Sequence, residues 1–206
     1  TQPYYPREGD LVIFTYRNPL WRICYALAGT GPPYHTGIVV RIPTGELATL
    51  EAAPNTSYTV YVLPLPDRFP AYKGSIWVRR LKKPLTPTET EQLNIFAAEQ
   101  TGKGFAFGRL LVNLGPFRPR GELRSQWFGK TTLDRDRWFC SELVVAAAVA
   151  ASRMDPHTVP ANGIYPRDLL LDETVDFSGT WDKPLLWTNE AGTHSGEPYP
   201  EYESLQ

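Results

Sequence analysis

Residues 143 to 151, LVVAAAVAA, set nine apolar side chains in succession with no polar residue among them. A helix that is apolar on every side cannot lie on a surface and has to be enclosed. The run is far short of the roughly 20 residues needed to cross a bilayer. It therefore predicts a central buried helix, packed against a sheet that the rest of the chain must supply. With 206 residues, 42% of them hydrophobic, the chain is long enough for one sizeable core and short for two.

The helix opens at Cys140, in RDRWFCSELVV. A thiol in a first helical turn meets the positive end of the macrodipole and amide donors without intrahelical partners, both of which favour thiolate. The same amides can face a developing oxyanion, so nucleophile and oxyanion hole coincide. Tyr16, just after the first predicted strand, is a candidate second donor. Glu142 suits the dipole but opposes a thiolate. Taken alone, a cysteine between Phe139 and Leu143 is more often a small buried residue. Cys24 lies on the apolar face formed with Leu20, Ile23 and Leu27 and is read as core. Two distant cysteines and three histidines offer no disulfide framework, and no metal or cofactor is expected.

A cysteine nucleophile needs a base, and the base needs an orienting partner. In HTGIVVRIPTGELATLEA two apolar runs flank Pro43-Thr44-Gly45, a hairpin signal. If these three residues form the loop, with proline in a type I turn and glycine left-handed, Ile42 pairs with Glu46. Glu51 then lies opposite Gly37, and His35 opposite Ala53. His35 and Glu51 share a face and sit diagonally, roughly 7–8 Å apart between the two backbones, within reach of long side chains. A two-residue loop would send them to opposite faces. An exposed histidine at a loop-to-strand junction is common, whereas a carboxylate between Leu50 and Ala52 in an apolar strand needs a partner. His157 and His194 occupy loop contexts, and His157 is the alternative base.

Other segments are read by the same rules. GDLVIFTY, VYVLPLP and SIWVRRL are strands, the second at an edge because of its prolines. PLWRICYALAG is a helix ended by Gly29. TPTETEQLNIFAAEQTGKG is a helix with Thr86 as cap, Pro87 in the first turn, Glu89 completing a capping box and Gly102 ending it. FAFGRLLVNLG is a further short helix, residues 115 to 137 a long loop, and YPRDLL a short helical turn. These elements make one α+β domain over residues 1–188, followed by an acidic tail over 189–206.

A net charge of −1 gives no reason to expect nucleic acid or an anionic membrane as partner. Residues 109 to 137 hold seven basic groups against three acidic ones. A solvated loop is the commoner meaning of such a run. The sharper one is a basic rim, with Arg120 and Arg124 receiving a substrate carboxylate. The sequence opens at Thr1 without a methionine, so a processed chain is expected, in the cell envelope or secreted rather than cytoplasmic.

With these residues assembled, the chain resembles the permuted papain-like amidases, the YiiX-like branch of the NlpC-type cysteine peptidases. The resemblance rests on an ordered series: GDLVIF, a short helix ending ALAGTG, YHTGIVV, LEA sixteen residues after the histidine, and FCSELV. It spans roughly residues 8 to 172, with YPRDLL as the closing segment. It implies a circularly permuted papain-like fold, an antiparallel sheet packed against a central cysteine-bearing helix. It further implies Cys140 as nucleophile, His35 as base and Glu51 as orienting residue. The implied reaction is hydrolysis of an amide bond in a small peptide or acyl-amide, with peptidoglycan-type peptides the commonest suspected substrate. Related permuted folds act on acyl lipids, but their NCEHF hallmark is absent here. A thioesterase or acyltransferase and a non-catalytic binding module are the rival expectations.

Overall fold

The computed structural model describes residues 4–15, 31–53, 58–108, 131–159, 161–172 and 175–187 with their side chains, and residues 194–198 by backbone. In chain order the elements are β1 (Leu11–Thr15), β2 (His35–Arg41), β3 (Leu47–Ala52), β4 (Val60–Pro64), α1 (Leu65–Ala71), β5 (Ser75–Arg79) and α2 (Pro87–Gln100). They continue with β6 (Gly104–Phe105), β7 (Arg137–Trp138), α3 (Cys140–Ala150), a 3-10 turn (Ala161–Gly163), α4 (Pro166–Leu171), β8 (Leu185–Trp187) and β9 (His194–Pro198). Seven strands form one sheet in the order β4-β3-β2-β1-β5-β8-β9, with every pairing antiparallel. β6 and β7 make a separate parallel pair. The architecture is mixed α+β, with a mostly antiparallel sheet and few helices.

The alternation of strand side chains divides the apolar residues between two faces. Leu11, Ile13, Ile38, Val40, Leu50 and Ala52 face the larger core, which holds α3 and the buried side of α2. Val12, Phe14, Val39, Ile76 and Val78 face the other way and pack on Leu65 and Phe69 of α1. All residues of α3 from Cys140 to Ala148 are buried, as the unbroken apolar run requires. It rests on β2 and β3. Its first turn is pinned by Ser141, whose Oγ donates to the Ile164 carbonyl at 2.5 Å.

The hairpin takes the expected form. Ile42 N–H donates to the Glu46 carbonyl at 3.0 Å, Gly45 N–H to the Ile42 carbonyl at 2.9 Å, and Gly45 has φ +90°. Gly37 lies opposite Glu51, Ile38 opposite Leu50 and Val39 opposite Thr49. α2 carries the full capping box on Thr86 and Glu89, and its chain turns away at Gly102 with φ +87°. β4 is an edge strand and YPRDLL contributes α4, both as the sequence leads one to expect.

Three features depart from the sequence reading. The chain after β4 turns directly into α1, LPDRFPA, where the prolines of VYVLPLP suggest only an edge strand. Pro66 is accommodated because first-turn amides have no intrahelical acceptor in any case. Phe105, the first residue of the expected helix FAFGRLLVNLG, lies in β6 instead, Phe107 and Gly108 are helical, and from residue 109 that stretch lies outside the described residues. The sheet also gains β8 and β9 after residue 184, with β9 drawn from the acidic tail. The helix expected over PLWRICYALAG lies outside the described residues.

Candidate active site

His35 is the first residue of β2 and Glu51 the fifth of β3. Both share the parity of Val39 rather than Val40, so both turn towards the face covered by α1. His35 Nε2 meets Glu51 Oε2 at 2.6 Å. The ring's other nitrogen is left for Cys140, which lies close enough to favour the charged form of the imidazole. Phe14, paired with His35 across β1 and β2, stacks on the imidazole with centroids 5.4 Å apart and planes 27° from parallel. The ring is thus held by a carboxylate, a thiol and an aromatic plate.

Glu51 is fully buried, and its two oxygens collect a set of donors. Oε1 accepts from Thr49 Oγ1 at 2.6 Å and from Arg68 Nε at 2.7 Å. Oε2 accepts from an Arg68 terminal nitrogen at 2.8 Å and from the Tyr61 hydroxyl at 3.3 Å, besides its contact with His35. Burial opposes the charge of Glu51, but the hydrogen bonds and positive charge of His35, then those of Arg68, outweigh it. The carboxyl is lowered from 4.5 to about 2. For His35 burial again opposes the charged form. Hydrogen bonds to Cys140 and Glu51 prevail, and the imidazole is raised from 6.5 to about 9. At neutral pH the site holds a carboxylate bound to an imidazolium.

Cys140 is the first residue of α3, and its neighbour Phe139 caps the helix without any side-chain hydrogen bond. First-turn amides beside a thiol are donors of the kind that can face an incoming oxyanion. Glu142, in the same turn and fully buried, is answered by Arg135, whose Nε lies 3.1 Å away.

Gly37 gives the site a steric condition. A Cβ on Gly37 would stand 2.9 Å from Glu51 Cγ and 3.0 Å from the Leu50 carbonyl oxygen. Only a residue without a side chain leaves the carboxylate its present place, which gives the glycine of HTG a physical reason.

The whole arrangement can be set against known proteins. No protein-family model and no curated protein matches the sequence. Among solved structures, the crystal structure of the metalloprotein YiiX from Escherichia coli O157:H7 superposes with a TM-score of 0.53 at 19% identity. That match covers 96% of this chain and 100% of that one. The fold is YiiX-like.

On this fold Cys140, His35 and Glu51, the three residues that the sequence nominates, meet in one contact chain. His157 does not join them. It is exposed in the turn after α3, with its backbone N–H on Asp155 Oδ1 at 2.8 Å. Tyr16, Cys24, Arg120 and Arg124 lie outside the described residues, as does the side chain of His194. Arg68, Thr49 and Tyr61 went unnoticed in the sequence. Tyr61 is foreseeable once β3 and β4 are paired, because it lies directly opposite Glu51. Thr49 shares that face two residues away. Arg68 leaves no sequence signal, because α1 itself leaves none.

Proposed function

We propose that the protein is a cysteine hydrolase that cleaves amide bonds in small peptides or acyl-amides. It would do so on a circularly permuted papain-like framework of the NlpC type. The observation that carries this reading is the imidazole of His35, bonded at 2.6 Å to a buried carboxylate and set beside a thiol at the start of a buried helix. A base held by an orienting carboxylate and facing a nucleophile is the arrangement that acyl transfer requires. The chain order also fits a permuted fold, because the sheet bearing His35 and Glu51 precedes the cysteine helix.

In this mechanism the Cys140 proton already rests on His35, as the imidazolium of the site, and the thiolate attacks the substrate carbonyl. The Cys140 backbone amide receives the oxyanion. His35 then gives its proton to the departing amine, leaving a thioester on Cys140. Water, deprotonated by His35, attacks the thioester and releases the acid and the free thiol. Glu51 keeps the imidazole oriented throughout and balances its positive charge.

The word metalloprotein in the description of YiiX invites a test of the donor set. Both Glu51 oxygens are engaged by protein donors, which leaves one imidazole nitrogen and the Cys140 thiol. Two protein donors are fewer than the three or four of a zinc site. Among the described residues no group of three or more His, Cys, Asp or Glu side chains is placed to hold a metal ion. These residues do not fit a metal, and no step of the mechanism passes through one.

The test is incubation with a panel of peptidyl and acyl amides, peptidoglycan-type peptides included, followed by product analysis and intact mass. The expected results are release of amine and acid, a thioester adduct at Cys140, and loss of both in Cys140→Ala and His35→Ala. Acyl transfer to an added amine in preference to water would point to an acyltransferase. Turnover unaltered in both variants would remove the reading altogether.

A further inference from the structure

Arg68 sits close to the reacting groups without touching them. Its guanidinium spans both oxygens of Glu51, Nε on Oε1 at 2.7 Å and a terminal nitrogen on Oε2 at 2.8 Å. Oε2 is the oxygen that His35 also uses. A two-point fork fixes the plane of a carboxylate, which a single hydrogen bond or an ammonium ion cannot do. The fork is held in turn, since the guanidinium carbon lies 4.3 Å from the centroid of Phe14 and 5.0 Å from that of Tyr72. Phe14 is also the ring stacked on His35. One aromatic side chain therefore contacts both the imidazole and the cation behind its partner.

We propose that Arg68 is a positioning residue of the site: its fork holds Glu51 so that one oxygen stays aimed at His35 Nε2 and the ring's other nitrogen at Cys140. This rests on the cysteine-hydrolase reading and adds a fourth member to its contact chain. The groups around the imidazole come from four elements: Cys140 from α3, His35 from β2, Glu51 from β3 and Arg68 from α1. Among the described residues, Tyr61 of β4 and Tyr72 after α1 are further titratable groups against the carboxylate and the guanidinium. Removing Arg68 takes away one of the two cations that offset a buried carboxylate, and frees that carboxylate to turn from the ring.

The test is the rate of Cys140 alkylation by iodoacetamide across pH 5 to 9, read by mass spectrometry, with folding followed by circular dichroism. The proteins compared are wild type, His35→Ala, Arg68→Met, Arg68→Lys, Glu51→Gln and the double variant Glu51→Gln/Arg68→Met. Arg68→Met is expected to slow alkylation at pH 6 roughly tenfold, as misorientation of a catalytic group does. Its profile should move to higher pH, because a positive charge behind the His35–Glu51 pair has gone. Arg68→Lys, which keeps the charge without the fork, should fall between it and wild type. The double variant should be no slower than Glu51→Gln alone, because Arg68 acts through Glu51.

A folded Arg68→Met with the wild-type rate and profile overturns the proposal, and so do losses that multiply in the double variant. If Arg68→Met fails to fold, the decision falls to Arg68→Lys and the double variant, which removes the buried carboxylate and the guanidinium together. A wild-type rate in Arg68→Lys then overturns it. A wild type no faster than His35→Ala would instead overturn the hydrolase reading, and the proposal with it.

Discussion

Gly37 faces Glu51 across the hairpin, and an added Cβ would reach within 2.9 Å of Glu51 Cγ. Gly37→Ala is expected to leave the sheet paired and to slow Cys140 alkylation at pH 6 by roughly tenfold or more, through displacement of the carboxylate. Iodoacetamide kinetics beside a circular dichroism spectrum check this, and an unchanged rate in a folded protein contradicts it. Glu51→Gln should keep some turnover while losing roughly two to four orders of magnitude, because an amide orients the wrong imidazole tautomer. It also leaves the Arg68 guanidinium without its buried counter-charge, which costs about 3–5 kcal/mol of stability, measurable by urea unfolding. The pairing of His35 with Glu51 is legible in the sequence because strand register turns a loop length into a spatial relation. Arg68 is not, because its approach to Glu51 depends on how α1 folds over the sheet.

The elements that can be read from sequence are those with a local signal. The loop Pro43-Thr44-Gly45 has one in its left-handed glycine, and α2 has one in its capping box. Gly45→Ala meets no atom within 4 Å and should still cost roughly 1–2 kcal/mol, because Gly45 has φ +90°. A thermal melt that matches wild type would contradict the left-handed turn on which the register depends. Thr86→Ala should cost about 1 kcal/mol by leaving the amide of Glu89 without its acceptor. The helix α1 escapes a reading from sequence because LPDRFPA holds two prolines in seven residues and follows a third, Pro64. Its stability comes from Leu65 and Phe69 buried against the sheet rather than from propensity. β8 and β9 escape for a similar reason, since such short strands are decided by the partners that pair with them.

Across the whole molecule, the charged pair at the site ties stability to pH. His35 is raised from 6.5 to about 9, so the folded state binds this proton more tightly than the unfolded chain. That contribution is complete below pH 6.5 and is lost as pH rises through 9. Glu51 is lowered from 4.5 to about 2, so its contribution is present above 4.5 and is lost as pH falls through 2. Calorimetric melts should therefore decline between pH 6.5 and 9, and decline less in His35→Ala; equal slopes would contradict the assignment. The buried helix, the sheet before it and the α+β class follow from apolar patterning alone. The closure of the far end, where fully buried Arg79 pairs with Asp172 at 2.7 Å, is a tertiary event with no sequence signature. The central claim is that Cys140 is a nucleophile paired with His35. It is tested most directly by iodoacetamide alkylation at pH 6, read separately at Cys140 and Cys24, in wild type and in His35→Ala. The expected result is a Cys140 rate in wild type at least about tenfold above that in His35→Ala, in keeping with a thiol activated by a neighbouring imidazolium. Equal rates in the two proteins would make Cys140 a core residue and contradict the assignment.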